Sequence, residues 1–188
     1  MASEVIVLMG PPGAGKGTQA ARLAKAENLR KISTGDMLRA HVAESSELGR
    51  KAEAIMKAGD LVPDDLIVAM VRREVESMDE IRMLLDGFPR TPGQAKALDE
   101  LLAEFGTELT AAVLLEVPEE ELVRRLVQRA EEEGRADDDE TTVRKRMEVY
   151  RTSTRPLIEF YEKRDLLARV NGVGDVDEVT ERIQEVLS

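Results

Sequence analysis

Gly10-Pro11-Pro12-Gly13-Ala14-Gly15-Lys16-Gly17-Thr18 is the stretch on which the reading of this chain turns. The β-branched apolar run Val5-Ile6-Val7-Leu8-Met9 precedes it and reads as a buried strand. A helical stretch over residues 19–27 follows it. Strand, glycine-rich turn and helix are the context that a phosphate-binding loop requires. The glycines let backbone N–H groups curl round phosphate oxygens, and the helix N-terminus adds its positive dipole end. Lys16 supplies a point charge. The spacing from Gly10 to Gly15-Lys16 fits G-x-x-x-x-G-K, but Gly17 takes the next place and the hydroxyl comes one residue later, at Thr18.

Outward from the loop, strand and helix signals alternate. Residues 29–32 form a short strand candidate, and Ser33-Thr34-Gly35-Asp36 reads as a helix start, with small polar residues at the cap and an acid in the first turn. Residues 37–44 and 48–57 read as helices, the second closed by Gly59. Pro63-Asp64-Asp65 opens another, by proline at the first helical position followed by acids. Residues 81–85 form a strand that ends in Asp86-Gly87-Phe88-Pro89-Arg90-Thr91, and residues 92–105 are helical. Residues 111–117 are apolar at nearly every position, the mark of a strand buried on both faces. Helix follows from Pro118 towards Gly134, then the polar break Arg135-Ala136-Asp137-Asp138-Asp139. A long helix is expected next, with Val143, Met147, Tyr150, Thr154, Leu157, Ile158 and Tyr161 on one face and a kink at Pro156. A strand at 166–170, a turn through Gly174 and a helix at 176–187 complete the chain. The alternation predicts an α/β fold with a parallel sheet covered on both sides.

Composition narrows the chemistry. The 188 residues suffice for one domain with a real core. A formal net charge of −11 argues against nucleic acid or an anionic membrane as a general partner. No run approaches the roughly 18 consecutive apolar residues of a membrane span, and no signal peptide is read. With no cysteine, a cytoplasmic location is expected and no disulfide framework exists. One histidine, His41, and no cysteine cannot build a structural zinc site of the usual kind. Aromatic residues are 3% of the chain, too few for a base-stacking platform. An anionic ligand must therefore find locally concentrated positive charge.

That charge is present. Arg124, Arg125, Arg129, Arg135, Arg144 and Arg146 fall within a short span of an acidic chain. Glu121 to Arg125 and Glu140 to Arg144 are i,i+4 pairs, and an ordinary salt-bridged helix surface is assigned to Arg124 and Arg144. Arg125 and Arg129, four apart, project from one side of their helix, and Arg135 and Arg146 bracket the polar break. Hydrolysis of one nucleotide needs few such cations. Transfer between two phosphorylated substrates needs many, because the moving phosphoryl group and its flanking phosphates must all be neutralised. Asp86 follows a strand, where an acid can face the phosphate loop and hold Mg²⁺ through water.

At this point the chain resembles the adenylate kinase family along its whole length. The resemblance rests on Gly10-x-Pro12-Gly13-x-Gly15-Lys16-Gly17-Thr18, on residues 32–39, on Gly59-Asp60-Leu61-Val62-Pro63-Asp64, and on the 86–91 motif followed by Gln94. It implies a P-loop three-layer fold over 1–188, with a five-stranded parallel sheet, a helical AMP-binding insert at 33–62 and a short lid at 128–138. It implies transfer of the terminal phosphoryl group of ATP to AMP, giving two ADP. Gly13, Ala14, Gly15, Lys16, Gly17 and Thr18 would cradle the ATP phosphates, and Gly174 would lie against the ATP adenine by its backbone. Thr34, Arg39, Asp60, Leu61, Val62, Gly87, Phe88, Pro89, Arg90 and Gln94 would hold AMP, with Gln94 reading the base edge. Arg125 and Arg129 match hinge arginines on the ATP side, and Arg135 and Arg146 a pair on the phosphates in transit. Lys16 and Arg90 join these four as the catalytic set.

Relatives with a longer, zinc-bearing lid differ from this chain, in which only five residues separate Arg129 from Arg135. The expectation is Mg²⁺ with ATP, no zinc, and a monomer whose partners are ATP, AMP and ADP. Gly35, Gly59 and Gly134 stand near the flap edges as hinge candidates, and Asp137 or Asp138 could engage a lid arginine on closure. Two alternatives stay open on the residues alone: a UMP/CMP kinase, and a P-loop protein that senses nucleotide without catalysis.

Overall fold

In a computed structural model, which describes residues 3–133 and 139–188, the strands form one wholly parallel sheet. They are β1 (Glu4–Met9), β2 (Arg30–Ser33), β3 (Arg82–Asp86), β4 (Ala111–Glu116) and β5 (Leu167–Asn171), in the order β2-β3-β1-β4-β5. The chain leaves β1 on one side to build β2 and β3, then crosses to the other to build β4 and β5. The end of β1 is thus a topological switch point, where ligands gather beyond the strand termini of open α/β sheets.

Side chains alternate across the sheet and feed two cores. Val5, Val7 and Met9 of β1 join Met83, Leu85, Ala112 and Leu114 on one face. That face packs on α4 (Asp64–Glu76), α5 (Pro92–Glu104) and α8 (Pro156–Glu162), through residues including Val71, Leu98, Leu102, Leu157 and Tyr161. Ile6, Leu8, Leu84, Val113 and Leu115 face the other way. They meet α1 (Lys16–Ala26), α6 (Glu119–Glu133) and α9 (Val176–Leu187) through Leu23, Leu122 and Ile183. Burial on both faces explains why β4 reads as an unbroken apolar run.

Two short helices, α2 (Thr34–Ala43) and α3 (Glu47–Lys57), fill the connection between β2 and α4. Ser33 caps α2, its hydroxyl accepting from the Asp36 amide at 3.3 Å, as the sequence signal suggests. Pro63 stands one place earlier than expected, as the cap of α4 rather than its first helical residue. The helix expected after residue 139 is divided: α7 (Glu140–Val149), a π-helical turn at Tyr150–Thr154, then α8. Pro156 has no N–H to continue an i−4 ladder, and the Arg155 amide bonds back to the Tyr150 carbonyl, five residues away, at 2.8 Å. His41 is half-buried, its Nδ1 lying 3.0 Å from the Ser46 hydroxyl, away from the strand termini.

Candidate active site

The loop after β1 carries left-handed glycines at Gly13 (φ 84°) and Gly15 (φ 90°). A Cβ at Gly13 would press on the Leu122 carbonyl and the Leu126 side chain at 3.0 Å, so this turn is packed as well as bent. Gly15 is the cap of α1, whose first amides have no partner inside the helix. The first turn of α1 holds no acid, although α2, α3, α4 and α9 all carry one there. Free amides and an uncompensated dipole end make this a seat for anions.

Residues 13–18 line a cleft of about 810 Å³. The Lys16 ammonium is held within the loop, donating to the Gly10 and Pro11 carbonyls at 2.8 and 2.9 Å. Burial lowers its pKa to about 7, outweighing the pull of Asp86; Arg90, Arg146 and Arg129 press it the same way as burial. Four cationic side chains thus converge in a chain of net charge −11. Asp86, buried at the end of β3, faces the loop: a Cβ at Gly17 would lie 3.5 Å from its Oδ2. Gly17 keeps the space before this carboxylate open.

The opposite wall of the cleft comes from α6 and the turn before α9. Arg125 donates to the Gly172 carbonyl at 3.0 Å and to Glu121 at 2.7 Å, and its guanidinium stands 3.9 Å from a Cβ built on Gly15. Arg124 shares Glu121, whose carboxyl is held at about 2 by hydrogen bonds from Arg124 and Arg125. Arg129 also lines this cleft. The Gly174 turn is fixed by a capping box between Asp175 and Glu178 and by Arg182, which donates to the Val173 carbonyl at 2.6 Å. A side chain at Gly174 would push the Glu178 carboxylate out of that capping box, at a φ of 134° that favours glycine.

A second, narrower cavity of about 70 Å³ opens from the same wall. Thr34, Asp60, Leu61, Val62 and Gln94 line it. It shares Gly35, Arg39, Gly87, Arg90 and Arg146 with the larger cleft. The shared wall is tightly organised. The Gly87 carbonyl accepts from the Thr34 hydroxyl at 2.9 Å and from Arg90 Nε at 2.8 Å. Gly87 has φ 79°, and a Cβ there would lie 2.9 Å from the Arg90 guanidinium. Arg39 is held by Asp36 at 2.6 Å. Burial would raise the Asp36 carboxyl, but hydrogen bonds and charge from Arg39 and Lys31 win and hold it at about 2.

The structure therefore brings the expected loop, wall and Gly174 residues together, with two qualifications of placement. The Phe88 side chain is buried in the core and lines neither cavity, while Pro89, joined to it by a cis peptide, lines a small space beside Arg90 and Arg146. Arg135, Gly134, Asp137 and Asp138 lie outside the described residues. The i,i+4 pairs expected from spacing exist, Arg125 with Glu121 and Arg144 with Glu140, each at 2.7 Å, and Arg124 joins Glu121 at the same distance. Spacing alone missed the acids that aim the site, Asp36 on Arg39 and Asp64 on Gln94, the latter accepting from Gln94 Nε2 at 2.7 Å. An i,i+3 count could have found the first. The second crosses between α4 and α5 and leaves no local signal.

Among the described residues no group of three or more His, Asp or Glu side chains is placed to hold a metal, and no helix is long and apolar enough to cross a membrane. Comparison with known proteins agrees with the geometry. A family model described as adenylate kinase matches residues 8–166. The chain is 56% identical to the adenylate kinase of Thermus thermophilus, over 98% of this chain and 97% of that one. It is 52% identical to that of Thermobifida fusca, over 97% of each, and 50% identical to that of Deinococcus deserti, over 96% and 95%. A glycine loop with free helix-start amides, a second pocket behind a common arginine wall, and these matches along nearly the whole chain lead to one conclusion: the chain belongs to the adenylate kinase family.

Proposed function

We propose that this protein transfers the terminal phosphoryl group of ATP to AMP, reversibly, giving two ADP. The observation that carries the reading is the wall common to both cavities, where Arg39, Arg90 and Arg146 stand between the phosphate loop and the Thr34–Gln94 pocket. ATP lies in the larger cleft, its phosphates on the amides of residues 13–18 and its base towards Gly174. AMP lies in the smaller pocket. An oxygen of the AMP phosphate attacks the terminal phosphorus of ATP as the bond to the bridging oxygen breaks. The work is positioning and charge neutralisation, so no covalent intermediate or general base is required. Lys16, Arg90, Arg125, Arg129, Arg135 and Arg146 supply the charge that offsets the phosphates.

The donor set suits Mg²⁺ carried in with ATP, since that ion takes one or two carboxylates and completes its shell with phosphate oxygens and water. Asp86, the buried acid facing the loop, would hold it through water, and the ion would neutralise phosphate charge. The chain has no cysteine and one histidine, so a zinc lid of the usual Cys/His kind has no ligands to use.

Residues 33–62 serve as the cover of the AMP pocket and residues 128–138 as the lid of the ATP cleft. Contacts between the cover and α7 support a coupled closure: the Thr142 hydroxyl donates to the Lys57 carbonyl at 3.2 Å, and Lys145 pairs with Asp60 at 3.5 Å. Closure over both nucleotides keeps water from the phosphoryl group. The absence of cysteine supports a cytoplasmic setting, and scattered exposed apolar residues, Phe105 and Val186 among them, support a monomer.

The test is direct. Purified protein given ADP and Mg²⁺ should form ATP and AMP in equal amounts, and in the forward direction AMP should be preferred to CMP and UMP. Preference for a pyrimidine would make it a UMP/CMP kinase. ATP binding without any ADP turnover would make it a sensor.

A further inference from the structure

We propose that Asp64 is a positioning residue for base selection: its carboxylate fixes which way round the Gln94 amide faces the monophosphate pocket. The inference rests on the reading of that pocket as the AMP site. Gln94 is 2% exposed and sits in the first turn of α5. Its Oε1 accepts from the Arg90 backbone amide at 2.7 Å, and its Nε2 donates to Asp64 Oδ1 at 2.7 Å. The backbone amide can only donate and the ionised carboxylate can only accept. Both therefore demand the same orientation. Flipping the amide would set donor against donor at Arg90 and acceptor against acceptor at Asp64, at a side chain that is itself only 2% exposed.

Asp64 is itself held. Its Oδ2 accepts from the Thr91 hydroxyl at 2.9 Å, so the carboxylate bridges the starts of α4 and α5 and cannot simply turn away. Gly93 leaves room for it, since a Cβ there would come within 3.2 Å of Oδ2. With both bonds made, Gln94 retains one N–H and one oxygen lone pair for a ligand, in a fixed order. A 6-aminopurine offers a donor beside a ring acceptor, the complement of a side-chain amide. A 6-oxopurine offers a carbonyl acceptor at that place, and a freely rotating amide could accommodate it by flipping. The locked amide cannot. Asp64 thus acts through Gln94 to make the pocket reject the 6-oxo base.

The test compares AMP with IMP as phosphoryl acceptors in the wild type, Asp64→Asn and Asp64→Ser. Asn can offer an NH₂ to a flipped Gln94, and Ser can donate or accept. In both variants the ratio of kcat/KM for AMP to that for IMP should fall about tenfold, the worth of one discriminating contact, with KM for ATP unchanged. Asp64 is an exposed residue, and melting temperatures of both variants check that the fold is kept. A wild-type ratio in either folded variant, or equal losses for AMP and IMP as a purely structural tie would give, overturns the inference. A wild type that phosphorylates neither nucleotide would instead overturn the functional reading itself.

Discussion

The Lys16 ammonium donates to the Gly10 carbonyl at 2.8 Å, so in the free protein the loop's own backbone satisfies this lysine. Burial keeps this lysine near a pKa of about 7, where its charge is easily lost. ATP phosphates should restore the proton. At pH 8, ATP binding is expected to take up a proton, seen as a binding enthalpy that changes with the ionisation enthalpy of the buffer. Lys16→Met should abolish that dependence and lower turnover by about 10²–10³-fold or more. The stability sign follows from linkage. The folded pKa lies below the ordinary 10.5, so the unfolded chain binds the extra proton between about pH 7 and 10.5 and stability rises with pH there. Lys16→Met should accordingly raise the melting temperature of the free protein more at pH 7 than at pH 10. A buffer-independent enthalpy in the wild type would contradict this.

Arg90 belongs to the wall between the cavities and is aimed by the Gly87 carbonyl. Arg90→Ala should raise KM for AMP by about 10–100-fold, the range of one charged hydrogen bond, and lower kcat. KM for ATP should change little. Equal losses for both nucleotides would show that the two cavities do not divide the substrates as described.

Two glycines make opposite predictions. At Gly87, φ is 79°, and a Cβ there would come within 2.9 Å of the Arg90 guanidinium and push it aside. Gly87→Ala should cost about 1–2 kcal/mol in backbone strain and also weaken AMP use by displacing Arg90. Gly17 lies within α1, and a Cβ there meets Asp86 only at 3.5 Å. Gly17→Ala should keep or raise thermal stability, by up to about 1 kcal/mol. Paired thermal melts check both.

Tyr161 is fully buried, and its hydroxyl has no hydrogen-bond partner among the described residues. Burial raises its pKa, so the group stays neutral. Removing an unsatisfied buried hydroxyl costs little. Tyr161→Phe should melt at or above the wild-type temperature, and a drop of several degrees would reveal a partner for the hydroxyl.

Most of the fold was legible because its signals are local. The β1 run and the glycines of residues 10–18 specify strand, turn and helix within a few residues, and alternation along the chain then implies the parallel sheet. Arg125 and Arg129 were legible as a pair, since residues four apart share one side of a helix, and both line the larger cleft. What was not legible depends on contacts between elements. The bridge from Asp64 to Thr91 and Gln94 joins two helix starts 27 and 30 residues apart. The burial of Phe88 away from both cavities follows from the turn around Gly87 and Pro89, and motif spacing says nothing of it. The π-helical turn before Pro156 reads in sequence only as a kink, because the proline signals a lost hydrogen bond without saying how the preceding turn recovers it.

Phosphoryl transfer between ATP and AMP held in two cavities that share one arginine wall requires that a single ligand can fill both at once. Isothermal calorimetry with two adenosines joined by five phosphates tests this directly. The expected result is one molecule bound per chain, orders of magnitude more tightly than ATP alone, with most of the gain lost in Arg90→Ala. Binding no tighter than that of ATP, or a gain indifferent to Arg90, would contradict it.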